Sequence, residues 1–176
     1  MSMRTKADPS ADFRRALAQF ATGVTVVTTR APDGTPTGLT VNSFASVSLD
    51  PPLVLWCLAL KAECLAVFRE AERYLIHVLA ADQLEIARRF ATRGADKFDA
   101  IGWHPTDSGL PRLEGCTAWF ECGNRSQYEE GDHVILVGRV EAFQCIGGAP
   151  LIFHGSRYVA KLTEAPLPKA LLGSLR

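Results

Sequence analysis

The pattern of apolar and polar residues predicts a chain made mainly of short β-strands. Residues 22–30, TGVTVVTTR, are rich in β-branched side chains, and residues 37–41, TGLTV, follow after a turn that contains Pro and Asp-Gly. This combination is typical of a β-hairpin. The nearly unbroken apolar run at 51–60, PPLVLWCLAL, predicts a strand buried on both faces. Further strands are predicted in LIHVLA, CTAWFECGNRSQYEEG, DHVILVGRVEAFQCI and as a last short pair in PLIFHGSRY, about eight in all.

Short helices are predicted between the strands. Phe13, Leu17 and Phe20 lie at i, i+4 and i+7 and form one apolar stripe, with Asp12 as the expected N-cap. The segments AECLAVFREAERY and ADQLEIARRFA also have helical spacing, and Asp82 is the expected N-cap of the second.

The order of these elements favours a barrel with helices packed outside it. Strands and helices do not alternate as in a doubly wound sheet, and no G-x-G-x-x-G or G-x-x-x-x-G-K-[ST] pattern occurs. The segment 92–115 is loop-like, but its apolar residues indicate that it is ordered. We expect a flexible arm at 1–10, a barrel domain at 11–162 and a tail at 163–176.

Composition disfavours two classes of partner. The chain has 176 residues with 19 basic and 19 acidic side chains, so its formal net charge is zero. Without a block of like charge, no electrostatic footprint for nucleic acid or an anionic membrane is present. No apolar run reaches the ~20 residues of a membrane span, and the N-terminus lacks the apolar region of a secretory signal. We therefore expect a cytoplasmic protein that binds neither nucleic acid nor membrane.

The five cysteines are expected to be reduced thiols that act as small buried hydrophobic residues, because their number is odd and no C-x-x-C spacing occurs. A zinc site at Cys116, Cys122 and a histidine is disfavoured. The histidines lack ligand spacing: His77, His104, His133 and His154. His77 is most simply a hydrogen-bonded core residue, and His104 a loop residue.

The segment 38–54, GLTVNSFASVSLDPPLV, carries an unusual number of small polar side chains. They are Thr40, Asn42, Ser43, Ser46 and Ser48, and β-forming apolar residues separate them. The spacing places Thr40 and Asn42 on one face of a strand, and Ser46 and Ser48 likewise. Each side chain can satisfy backbone groups at a bulge or bend, or can bind a polar ligand. For the set as a whole, ligand binding is favoured.

Four segments, in order, resemble the flavin reductase family. They are FRRALAQFATGVTVVTTRAPDGTPTGLTVNSFASVSLDPPLVLWCLA, ARRFATRGADKF, GDHVILVGRVE and PLIFHGSRY, and they lie within residues 12–162. The resemblance implies a mainly β fold, a six-stranded antiparallel split β-barrel of the FMN-binding type with peripheral helices, assembled as a homodimer.

The same resemblance implies an NAD(P)H:flavin oxidoreductase. Such an enzyme transfers a hydride from NADH, or from NADPH, to FAD or FMN. The reduced flavin then diffuses to the separate oxygenase component of a two-component flavin-dependent monooxygenase. NADH is the family's usual donor.

Site residues follow from the resemblance. The flavin-side residues are Thr40, Val41, Asn42, Ser43, Ser46, Ser48, Cys57, Lys61, Phe90, Ala91, Lys97 and Phe98. Lys97 is expected to face the flavin pyrimidine edge or a phosphate, the alternative being a solvated lysine. Near Lys61 the chain departs from the family pattern at Ala62, Glu63 and Cys64, and Glu63 would repel a phosphate.

On the nicotinamide side, the resemblance implies His133 as the catalytic residue beside the open flavin face. It also implies His154, Arg157 and Tyr158 as binding residues, with Ser156 nearby. The structural alternatives are a Gly-Asp turn for His133 and a dimer interface for Arg157 and Tyr158.

Three other classes of protein are also compatible with the sequence. The main alternative is a flavin-binding split-barrel module without NADH-dependent reductase activity, since a fold does not fix a function. A barrel that binds pyridoxal phosphate or haem, and a purely structural dimerisation domain, are less favoured.

Overall fold

A computed structural model describes residues 9–94 and 96–159, and most of its elements are strands. The helices are α1 (Pro9–Leu17), α2 (Leu65–Glu70) and α3 (Leu84–Ala91). The first six strands are β1 (Thr22–Gly23), β2 (Thr25–Arg30), β3 (Pro36–Val41), β4 (Ala45–Leu49), β5 (Pro52–Ala59) and β6 (Arg73–Val78). The remaining six are β7 (Trp103–Pro105), β8 (Pro111–Leu113), β9 (Ala118–Glu130), β10 (His133–Cys145), β11 (Ile152–His154) and β12 (Arg157–Val159).

Seven strands form one antiparallel sheet in the order β3-β2-β6-β9-β10-β5-β4. Its two outer strands, β3 and β4, are joined by residues 42–44. The Ser43 hydroxyl accepts from the Cys57 N–H at 2.9 Å and donates to the Cys57 carbonyl at 3.3 Å. The sheet therefore curls until β3 approaches β5, which leaves a barrel split along this line. The mainly β prediction with few helices is confirmed, although the main sheet has seven strands rather than six.

Strand β2 separates two hydrophobic cores. Val27 packs inside the barrel with Trp56 and Phe68. Val26, on the other face, packs with Leu79 and Phe90. Because both faces of β2 are covered, its β-branched sequence forms a fully buried strand. Helix α3 lies over the outer core and contacts β3.

Some predicted boundaries are corrected by the structure. The predicted loop at 92–115 contains the β7–β8 hairpin. Asp12 lies within α1 and pairs with Arg15 instead of capping the helix. Asp82 precedes the N-cap of α3, which is Gln83. Residues 1–8 of the predicted arm and the whole predicted tail lie outside the described residues.

The predicted apolar stripe is exposed in the single chain, and its last member, Phe20, lies beyond the end of α1 at Leu17. Phe13, Leu17 and Phe20 are 65%, 57% and 77% accessible to solvent. No described helix is both long and apolar enough to cross a membrane.

The cysteines are free thiols in different environments. Cys116 and Cys122 are buried, and burial raises the pKa of each thiol to about 12. The prediction of buried hydrophobic residues is right for these two but wrong for Cys145, which is exposed near the end of β10.

His77 is a hydrogen-bonded core residue, as predicted. Its Nδ1 lies 3.0 Å from the Val26 carbonyl, and its Nε2 accepts from the Leu113 N–H at 3.2 Å. The second bond requires an unprotonated Nε2, so the ring is neutral with its proton on Nδ1. Burial, together with the nearby charge of Arg112, lowers the pKa of His77 to about 4.

We expect His77 to make the folded state sensitive to acid. The folded-state pKa lies below the ordinary value of 6.5, so this contribution to stability is complete above pH 6.5 and is lost as the pH falls towards 4. The loss is on the order of 3 kcal/mol for a shift of this size. Urea unfolding between pH 7 and pH 4 should show a shallower pH dependence for His77→Gln than for the wild type. His154→Gln, at an exposed position, should keep the wild-type slope; equal slopes for wild type and His77→Gln would contradict the linkage.

Candidate functional site

A cleft of about 640 Å³ runs between β3 and the C-terminal end of α3. One wall is formed by residues 35–40 of the β2–β3 turn and β3. The other walls are formed by residues from the segments 59–67 and 90–98. The volume falls within the range of roughly 300–1,000 Å³ that is typical of sites for small molecules and cofactors.

A second cavity of about 160 Å³ adjoins this cleft. Thr40 and Ala91 line both spaces, whereas Phe153 and Tyr158 line only the smaller one. The two spaces together follow β3 and its flanks from Thr35 to Asn42, a distance of roughly 23 Å at 3.3 Å per residue. An elongated ligand can therefore lie along this strand.

Close packing of α3 on β3 shapes the cleft. The Thr40 hydroxyl donates to the Ala87 carbonyl at 2.7 Å. A Cβ on Gly38 would lie 2.7 Å from Cε1 of Phe90 and 3.0 Å from the Val27 carbonyl oxygen. Glycine is needed here because the Phe90 ring occupies the space of a side chain.

Lys97 lies in the cleft wall and is half-buried. Its Nζ donates to the carbonyls of Gly38 at 3.0 Å and Phe90 at 3.1 Å. The alternative of a solvated lysine is therefore wrong. The nearby thiol of Cys64 has a raised pKa because burial outweighs the opposing charge of Lys97.

Two further cations line the cleft, Lys61 and Arg93, and both are exposed. Neither forms an ion pair with any residue of 9–94 or 96–159. Glu63 and Asp96 line the same cleft, so its charge is mixed. Sequence reasoning missed Arg93, although its place in the quoted segment ARRFATRGADKF was the available signal.

The structure brings together about half of the predicted site residues. The larger cleft contains Thr40, Lys61, Phe90, Ala91, Lys97 and Phe98. The smaller cavity contains Thr40, Val41, Asn42, Ala91 and Tyr158. The remaining predicted residues line neither space: Ser43, Ser46, Ser48, Cys57, His133, His154 and Arg157.

The small polar side chains have divided roles. Thr40 and Ser43 both hydrogen-bond to backbone groups, as the structural alternative proposed. Ser46 and Ser48 lie on β4, where a register shift between them breaks the simple alternation of faces. The prediction that these two serines share one face through regular strand geometry is therefore wrong.

The β11–β12 hairpin carries the predicted nicotinamide side. Tyr158 packs edge-on against Phe153, with ring centroids 5.4 Å apart, and reaches the smaller cavity. His154 and Arg157 pair next to the turn of the hairpin and are exposed. Of these three side chains, only Tyr158 reaches the candidate site.

His133 lies at the start of β10 and pairs with Ala59, a residue of the cleft wall. Its Nδ1 is 2.7 Å from Oδ1 of Asp132, and this bond is the main cause of the lowered pKa of Asp132. The contact fits the turn interpretation. The catalytic role of His133 stays a prediction.

Comparison with known proteins assigns the family. Residues 17–161 match the family model described as flavin reductase like domain. FMN reductase (NADH) SmoA of Agrobacterium fabrum is 48% identical over 85% of this chain and 84% of its own length. The reductase component of the flavin-dependent trigonelline monooxygenase of Acinetobacter baylyi is 41% identical over 84% of this chain, which spans 47% of that protein.

A solved structure agrees with this assignment. The NADH:FAD oxidoreductase SgcE6 of Streptomyces globisporus C-1027, in complex with NAD and FAD fragments, has a TM-score of 0.81 and 34% identity, covering 96% of this chain and 99% of that one. This chain belongs to the flavin reductase family.

We expect Gly38→Ala to destabilise the fold and narrow the cleft, because the new methyl group would overlap the Phe90 ring. Overpacking of this kind costs about 1–3 kcal/mol of unfolding free energy, which urea denaturation measures. Gly23→Ala is the matched control, since a Cβ there would meet nothing within 4 Å. Equal free energies of unfolding for the two variants would contradict this prediction, because they would show that α3 and β3 can move apart at little cost.

Proposed function

We propose that this chain is an NAD(P)H:flavin oxidoreductase that transfers a hydride from NADH to FAD or FMN and supplies reduced flavin to a separate oxygenase component. The observation that carries the proposal is the pair of adjoining spaces along β3, in a member of the flavin reductase family. A reductase needs room for two neighbouring ligands, and the larger cleft and the smaller cavity share Thr40 and Ala91 in their walls.

Named relatives support the same activity. SmoA is an FMN reductase that uses NADH, and SgcE6 is an NADH:FAD oxidoreductase. The Acinetobacter relative is the reductase component of a monooxygenase, which supports an oxygenase as the partner of this chain.

The larger cleft fits the chemistry of a flavin. Apolar groups of Leu39 and Phe98, both half-buried, offer a surface for the ring system. Lys61 and Arg93 supply cations without ion-pair partners in the described part of the chain, which suits a phosphate. Strand β3 pairs only with β2 in the main sheet, so its other edge offers backbone groups for polar atoms.

The smaller cavity is the proposed nicotinamide side. A flavin and a nicotinamide held here would themselves supply the hydride-transfer chemistry, so the protein needs no general base. The task of this chain is to hold two rings in reactive proximity and to limit access of water. Tyr158 and Phe153 offer an aromatic wall for that purpose, and Asn42 offers an amide for orientation.

One observation favours the alternative of a flavin-binding module without reductase activity. The predicted residues His133, His154 and Arg157 line neither space. If they were essential for nicotinamide binding, a single chain would lack part of its nicotinamide site.

The activity is tested by following NADH absorbance in air with purified protein and either FAD or FMN. We expect NADH oxidation that depends on both protein and flavin, with the faster flavin being the preferred substrate. NADPH in parallel reports donor preference. Tight flavin binding without NADH oxidation would instead favour the binding module.

We also propose that the protein is a cytoplasmic homodimer. All five cysteines are free, which suits a reducing compartment. An aromatic ladder of Phe44, Phe120 and Phe143 extends from the barrel core to the surface, with successive centroids 5.6 and 6.4 Å apart. Phe143 is 69% exposed at its outer end. Exposed aromatic groups held on a rigid sheet are typical of protein interfaces.

We expect sedimentation equilibrium to give twice the 19.1 kDa chain mass for the wild type. Phe143→Ser should weaken the dimer at least tenfold if the aromatic ladder is buried between two copies, because exposed aromatic groups dominate such interfaces. Asp107→Ser, an exposed change in the β7–β8 turn, is the control and should leave the mass unchanged. A monomeric wild type at all concentrations would contradict the dimer.

A further inference from the structure

We propose that Lys97 is a positioning residue, which ties the end of α3 to β3 and so fixes the width of the flavin cleft, and that it does not recognise the flavin phosphate. The inference rests on the proposed flavin site, but it changes the role that family resemblance gave to this lysine.

The ammonium group of Lys97 bridges two elements that otherwise meet through side-chain packing and a single hydroxyl. Gly38 lies on β3, and Phe90 lies in the last turn of α3. Nζ donates to both backbone carbonyls, at 3.0 and 3.1 Å. Bonds from a charged donor are stronger than neutral ones, so this bridge is well suited to hold the two walls together.

The carbonyl of Phe90 needs a partner from outside the helix. The last four carbonyls of a helix have no intrahelical donor. Thr92 serves two of them, since its hydroxyl donates to Arg88 at 2.9 Å and its N–H to Arg89 at 3.2 Å. Lys97 serves Phe90, so three of these four carbonyls, those of Arg88, Arg89 and Phe90, have donors at the edge of the cleft.

Lys97 lies in a wall that both spaces depend on. Gly38, Phe90 and Lys97 itself line the larger cleft, and the next residue of α3, Ala91, lines the smaller cavity as well. A shift of the α3 end would therefore alter both spaces. Binding of the flavin ring should suffer, with or without a phosphate.

The other cations of the cleft are better suited than Lys97 to bind a phosphate. Lys61 and Arg93 are exposed and make no ion pair with the described residues. Two of the three N–H donors of Lys97 are engaged by backbone carbonyls. Arg93 is therefore the better matched residue for a phosphate group.

Riboflavin and FMN have the same ring system, but only FMN carries a phosphate. Their affinities for each variant therefore distinguish a positioning role of Lys97 from phosphate binding. Fluorescence titration should show that Lys97→Met weakens both by a similar factor, roughly tenfold for the loss of charged hydrogen bonds. Arg93→Gln is the matched control and should weaken FMN while riboflavin binding stays unchanged. Lys97→Gln is the second variant if Lys97→Met does not fold.

Hydrogen exchange of the flavin-free protein gives a readout that does not depend on ligand. The amide of Thr92 should exchange faster in Lys97→Met than in the wild type, while that of Leu79 in the outer core should be unchanged. A phosphate ligand without a positioning role would leave both amides unaffected.

Two results would overturn the inference. One is a loss of FMN affinity with normal riboflavin affinity, which would make Lys97 a phosphate ligand. The other is unchanged exchange at Thr92 together with unchanged flavin affinity. If the wild type binds neither flavin, the proposed function fails, while the exchange experiment still decides whether Lys97 ties α3 to β3.

Discussion

The contact between α3 and the edge strand β3 is the constraint on which the site depends. Gly38 has no side chain, so the Phe90 ring can lie directly against the strand backbone. Thr40 donates from the same strand to α3, and Lys97 donates to carbonyls of both α3 and β3. These contacts hold in place the wall that the larger cleft and the smaller cavity share.

Two of the small polar residues after Gly38, Thr40 and Ser43, stabilise the fold through hydrogen bonds to backbone groups. Ser43 ties the β3–β4 connection to β5 by bonding both backbone groups of Cys57. Thr40 fixes α3 and still lines both spaces. A flavin on this protein would therefore contact a strand whose Thr40 hydroxyl is already hydrogen-bonded to α3. Asn42, which directly follows the strand, is exposed for binding.

Much of the fold could be predicted from local sequence, since β-branched runs and an Asp-Gly turn mark β2 and β3 without knowledge of their neighbours. Features that depend on distant contacts could not. The register shift in β4 depends on pairing with β5. The bonds of Lys97 depend on a segment that folds back over 59 residues of sequence to reach Gly38. Resemblance identified Lys97 as a site residue, but only tertiary geometry indicates how it acts.

The central claim is that a flavin lies along β3, between this strand and the end of α3. The most direct measurement is the change in backbone amide NMR shifts when FMN is added to isotope-labelled protein. We expect the largest changes within residues 37–42 and 90–98. Changes concentrated on β4 and the β9–β10 hairpin, with these two segments unaffected, would contradict it.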